Sequence, residues 1–157
     1  MKFRPETVDR SPETEENEAS MPDRIPAIRV LLLPKDTNAY GTIFGGVILS
    51  NIDLASAVEA RKLGAHRYVT KAMHEVEFHE PVFVGDLVDF YTETVRIGRT
   101  SVTVRVLVEA ERWGTPPTVA GLTGHGERVK VTEAEVVLVA VDDRGRPVPI
   151  RPEGPSV

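Results

Sequence analysis

Cysteine is absent from the 157 residues, which excludes disulfides, thiolate nucleophiles and cysteine metal sites, and fits an intracellular, cytoplasmic setting. No apolar run is long enough to cross a bilayer, so no membrane partner is expected. The N-terminus "MKFRPETVDRSPETEENEAS" lacks the apolar core of a signal peptide. A basic excess is missing too. The formal net charge is -5, and residues 25–157 carry seventeen acids against fifteen bases, which argues against nucleic acid as the partner. There is no Walker loop, since no lysine follows Gly45-Gly46, and no dinucleotide fingerprint.

What is present divides the chain into three parts. Residues 1–24 hold seven acids, four bases and almost no large apolar side chain, so burial cannot offset the entropy of ordering them. They read as a flexible acidic arm, 25–150 as a single domain and 151–157 as a tail. The domain opens with the extended segment "IPAIRVLLLP" and a polar loop, "KDTNAYGT". An apolar helix follows, with Gly64 as its stop. Four further segments read as strands: "YVTKAMHEVEF", "DLVDFYTETVRI", "SVTVRVLVEAERW" and "ERVKVTEAEVVLVAVD". Val102, Val104, Val106 and Val108 alternate with Thr103, Arg105, Leu107 and Glu109, so one face of that strand is apolar. One long helix against about five antiparallel strands is an α+β layer arrangement.

The helix is apolar nearly all round, and a second subunit is expected to cover what the sheet does not. The alternative is a solvent stripe through Asn51, Glu59 and Lys62. Within "GTIFGGVILSNIDLASA" one charge stands out, Asp53, among small residues that leave room for another chain or a ligand. A carboxylate buried there has its pKa raised by desolvation, which suits a general base; a salt bridge or simple solvent exposure is the plainer alternative. Gly45 and Gly46 begin the same helix, where unpaired N–H groups and the macrodipole's positive end favour an oxyanion. Ordinary turn glycines would look the same.

Other motifs carry less. His74 and His79 are five apart in a strand pattern that sends them to opposite faces, so a metal site is not expected. "GRTSV" lacks the second glycine of a nucleophile elbow. In "RIGRTS", Arg96, Arg99, Thr100 and Ser101 could meet a phosphate or form a plain polar turn; Lys71, Arg128 and Lys130 are weaker candidates.

The run "DTNAYGTIFGGVILSNIDLASAVEA" resembles the active-site segment of the hotdog-fold acyl-CoA thioesterases, especially bacterial acyl-CoA hydrolases related to the cytosolic brain-type enzyme. "VTKAMHEVEFHEPVFVGDLVDFY", "RIGRTSVTVRVLVEAE" and "VTEAEVVLVAVDDRGRPVPI" follow in the same order, so the resemblance covers residues 30–150. It implies a curved antiparallel sheet around one helix, homodimers joined edge to edge with antiparallel helices, and a hexamer built as a trimer of dimers. It implies hydrolysis of acyl-CoA to a free acid, with coenzyme A as product or ligand and no cofactor or metal, because the thiolate leaves readily. Asp53 matches the family's helix acid, which activates water or attacks the carbonyl. Asn38 matches the loop asparagine that orients water or polarises the carbonyl, and the two are expected to meet across the dimer interface. Gly45 or Gly46 would supply the oxyanion donor at the tip of the helix that bears Asp53, and "RIGRTS" would hold the CoA phosphates. A non-catalytic acyl-CoA-binding module on the same fold, or a hotdog dehydratase, are the alternatives; the latter needs a histidine near the acid.

Overall fold

The computed structural model describes residues 24–113 and 125–151. Most of the expected N-terminal arm and C-terminal tail lies outside that range. Strand β1 (Ile28–Leu31) leads through a single 3-10 turn at Pro34–Asp36 to helix α1 (Gly45–Ala60), then β2 (Arg67–His74), β3 (Leu87–Ile97), β4 (Ser101–Trp113) and β5 (His125–Val141). The strands form one antiparallel sheet in the order β1-β3-β4-β5-β2, and α1 packs on its inner face. This is the expected α+β arrangement.

Alternation in β4 is the clearest case of sequence dictating structure. Val102, Val104, Val106 and Val108 all point inward and are fully buried, as their spacing predicts. Each contributes about 1.5–3 kcal/mol relative to an exposed side chain. Ile48, Ile52 and Ala55 of α1 meet them from the other side. Arg112 continues the inward alternation, with its guanidinium buried against the Pro81 carbonyl and over the Phe83 ring.

One expectation and one alternative need correction. The strand read through "YVTKAMHEVEF" stops at His74, because Glu75 takes a positive φ of 57 that breaks the extended run. His79 therefore lies outside β2, where its N–H bonds to the Val131 carbonyl, and the opposite-faces argument for the two histidines does not apply. The polar stripe on α1 is not there either. Glu59 is only 8% exposed, whereas Leu54 and Val58, one turn apart, are 58% and 41% exposed. The open side of the helix, Ser50, Leu54 and Val58, carries two large apolar side chains, as an uncovered contact face would.

Among the described residues no helix is long and apolar enough to cross a membrane. The edges of the sheet differ: β1 is four residues long, while β2 offers eight, with a register shift between Thr70 and Ala72.

Candidate active site

Asp53 sits at the middle of α1 and is half-buried in the protomer. Thr70 of β2 donates its hydroxyl to Asp53 Oδ1. Ser56, one turn on, donates to the Asp53 carbonyl at 2.7 Å, a bond back into the helix that leaves the carboxylate untouched. The carboxylate is therefore pinned at one oxygen by an edge strand, and Oδ2 has no protein donor among the described residues. Thr70 was not singled out in the sequence, because nothing local marks one exposed strand threonine from another. Its role comes from the fold, which lays β2 beside the helix.

The loop before α1 is built around Asn38. Its Nδ2 donates to Thr42 Oγ1 at 2.8 Å, and its Oδ1 accepts from the Tyr40 N–H at 2.8 Å and the Thr42 N–H at 3.3 Å. The main chain closes the same loop, with the Asn38 N–H on the Thr42 carbonyl at 2.8 Å. Asn38 thus shapes this loop and makes no bond to Asp53 within the protomer.

Helix α1 begins after Phe44, whose backbone is extended and whose side chain cannot cap. The Val47 N–H already donates to the Phe44 carbonyl at 2.9 Å, and with no side-chain cap the N–H groups of Gly45 and Gly46 are the ones left for a ligand. The glycines fit closely under two aromatic rings. A Cβ on Gly46 would collide with the Phe44 ring, and one on Gly45 would lie 3.5 Å from Phe78. Phe44 and Phe78 are themselves 58% and 45% exposed. Beside them a cavity of about 340 Å³, mostly apolar, is lined by Ile43, Gly45, Ile48, Phe78 and Val82. Eight residues separate Gly45 from Asp53, about 12 Å along the helix at 1.5 Å per residue. The donors at the helix start and the acid are therefore set well apart along the helix of one protomer.

Arg96, Arg99, Thr100 and Ser101 cluster at the β3–β4 turn. Gly98 packs closely there: a Cβ would lie 2.9 Å from Ser101 Oγ, which would have to rotate away. The turn is anchored at the far end of α1: the Arg99 carbonyl accepts from the Ile150 N–H at 2.8 Å, and the Ile150 carbonyl meets His66 Nε2 at 2.9 Å. Arg96 and Arg99 are exposed. Lys71 is exposed on β2, but Arg128 and Lys130 are engaged on the outer face of the sheet. Arg128 bonds Asp89, Tyr91, Glu109 and Glu111, and Lys130 pairs with Glu133 at 2.8 Å. No group of metal-ligating side chains occurs among the described residues.

The thioesterase superfamily model matches residues 40–115, which contain Gly45, Gly46, Asp53, Thr70 and the β3–β4 turn. The acyl-CoA thioester hydrolase YciA of Escherichia coli strain K12 is 38% identical over 120 residues, covering 76% of this chain and 86% of the relative. Among solved structures, HI0827, a hexameric broad-specificity acyl-coenzyme A thioesterase in a mutant form with one Asp replaced by Ala, superposes with a TM-score of 0.73. It is 36% identical, covering 83% of this chain and 88% of that one. Cj0915, a hexameric hotdog-fold thioesterase of Campylobacter jejuni, gives a TM-score of 0.72 at 42% identity, covering 80% and 90%. The acid on the helix, the glycine-marked helix start and the sheet around them are thus found in a chain that belongs to the hotdog-fold acyl-CoA thioester hydrolases of the thioesterase superfamily.

Proposed function

We propose that this enzyme hydrolyses acyl-CoA to a free acid and coenzyme A at sites shared between two protomers, with Asp53 as the reacting carboxylate. The supporting observation is Asp53 itself, half-buried, held at Oδ1 by Thr70 and open at Oδ2. As general base, Asp53 takes a proton from water while the water oxygen bonds to the thioester carbon. The carbonyl electrons move to oxygen, and the oxyanion is held by N–H groups at a helix start. Collapse expels the CoA thiolate, which receives the proton. As nucleophile, Asp53 would instead form an anhydride that water opens. Label in the Asp53 carboxylate after a single turnover in heavy-oxygen water identifies the anhydride route, with water opening it at the aspartyl carbonyl, because general-base catalysis puts the water oxygen only in the released acid.

The 12 Å along α1 supports a composite site. So do the exposed Leu54 and Val58 and the open edge of β2 beside Thr70. If two such helices run antiparallel, the Gly45 end of one lies alongside the partner's β3–β4 turn. Oxyanion donors, Asn38 and the Arg96–Ser101 cluster then gather around one thioester and its CoA phosphates. The similar hexameric structures support assembly of such dimers into a trimer of dimers.

The test is a panel of acyl-CoAs with thiol detection. Wild type releases CoA, and Asp53→Ala and Asn38→Ala each lose activity, Asp53→Ala by about 10²–10⁴-fold with the fold intact. Unfolding and refolding the two variants together restores about a quarter of the wild-type rate, because half the dimers are mixed and each carries one intact site of two. Equal rates for Asp53→Ala and wild type remove Asp53 from the mechanism. No recovery on mixing removes the shared site.

A further inference from the structure

The buried carboxylate of Glu59 takes no part in the chemistry above. Its side chain reaches away from Asp53, to β3, where Thr92 donates to Oε2 at 2.9 Å and Thr94 donates to Oε1 at 3.1 Å. Lys62, one turn on, donates to Oε2 at 2.6 Å. The inner face of β3 runs Val88, Phe90, Thr92, Thr94: it is apolar under the first part of the helix and turns to hydroxyls where Glu59 arrives. Burial pushes the Glu59 carboxyl up, but the bonds from Lys62, Thr92 and Thr94 outweigh it and hold the group below the usual glutamate range. It is a charged acceptor with both oxygens used.

Asp53 and Glu59 are six residues apart, roughly 120° around the helix. They reach opposite flanks of the sheet, since β3 and β2 are separated by β4 and β5 in the strand order. Between them lies a bed of valines, and apolar burial is non-directional. A helix apolar nearly all round can roll on such a bed at little cost. We infer that Glu59, through Thr92 and Thr94, is a positioning residue that fixes the roll of α1 and so holds Asp53 in reach of Thr70 and the thioester; the catalytic part of this inference rests on the function proposed above.

The magnitude is set by geometry. A roll of about 10° moves a group about 5 Å from the helix axis by about 1 Å. A misplacement of that size can lower the rate about 100-fold.

The test variant is Glu59→Leu/Thr92→Val/Thr94→Val, which replaces the polar tether with apolar groups of similar size and strands no hydroxyl. It should melt within a few degrees of wild type and keep its KM while kcat falls about 10- to 100-fold. Glu59→Gln, which still exchanges hydrogen bonds with both threonines, should restore most of kcat. A second readout needs no turnover: in protein labelled with ¹³C-carboxyl aspartate, the Asp53 resonance, assigned with Asp53→Asn, should shift in the triple variant while other aspartates stay put. Wild-type kcat and an unmoved Asp53 resonance in the triple variant overturn the inference. So does a Glu59→Gln variant as impaired as the triple one. Should the triple variant not fold, Thr92→Val and Thr94→Val are read singly, and unchanged kcat in both overturns it. If Asp53→Ala proves as active as wild type, the proposed mechanism has failed, while the resonance shift still decides whether Glu59 sets the helix.

Discussion

On the inner side, polar groups are few and little hydrated: Thr92 and Thr94 donate to Glu59, while Tyr68 keeps its hydroxyl, and Arg112 its Nε and Nη1, buried without a hydrogen-bond partner among the described residues. On the outer face, charges are many and share partners. Asp89 holds Arg29, Arg128 and Tyr91; Arg128 also holds Glu109 and Glu111; Arg105 lies among Glu93, Glu133 and Glu135. Removing water explains the difference. An inner polar group left alone loses its hydration outright, which keeps such groups few and makes each one costly to disturb. An outer charge that loses one partner has water and several others. The inner face should therefore respond sharply to single substitutions and the outer face weakly.

The sharpest stability loss is expected at Ile52, which is fully buried one residue before Asp53. Ile52→Ala should cost about 2–5 kcal/mol in a urea titration, by lost burial and a cavity against the β4 valines. A cost below 1 kcal/mol would mean that the helix relaxes freely into the space, which would weaken the contrast between the faces. Asp89 comes next, and it is the exception that sharpens the comparison. It lies on the outer face, yet its side chain is only 1% exposed. Burial alone would raise its pKa, but bonds from Arg29, Arg128 and Tyr91 prevail and lower it. Asp89→Asn should cost about 1–3 kcal/mol, because Arg29 and Arg128 remain partly solvated and are not stranded. The folded pKa of Asp89 being depressed, its stabilisation is complete above the ordinary carboxylate range. It is lost as pH falls from about 4 through the lowered folded value. The variant's melting temperature should accordingly fall less steeply than that of wild type on acidification below about pH 4. Parallel curves would show that Asp89 is not a source of acid lability.

Legibility followed the same division. The period of two in β4 and the apolar run of α1 predicted the fold, because burial repeats along the sequence and leaves a pattern. Asp53 was visible as a charge where the pattern allows none, and the glycines as a helix start. Thr70, Thr92 and Thr94 were not, since a threonine on a strand becomes meaningful only when the sheet curls to bring a carboxylate over it. Glu59 entered only as part of an alternative solvent stripe for the same reason: a helical wheel shows which side a residue faces, without showing how far the neighbouring strands extend. Arg128 and Lys130 were weaker candidates for phosphate in the sequence, and register pairs their strand with the glutamates of β4.

The smallest effect is expected at Arg105, in the middle of the outer face. Its three carboxylate neighbours lie at 3.1–3.6 Å, and the bond it donates to Glu135 holds its pKa up. Its side chain is nonetheless 40% exposed, so solvent screens each pair and the attractions do not add. Its aliphatic stem also covers sheet surface, which alanine would uncover. Arg105→Ala should therefore cost less than about 1 kcal/mol, and Arg105→Met less still, because the stem remains. The difference between wild type and Arg105→Met should shrink further in high salt, where the Debye length falls to about 3 Å at 1 M. Should Arg105→Met cost as much as Asp89→Asn and keep that cost in salt, the outer lattice would behave as a desolvated network, and the contrast between the two faces would not hold.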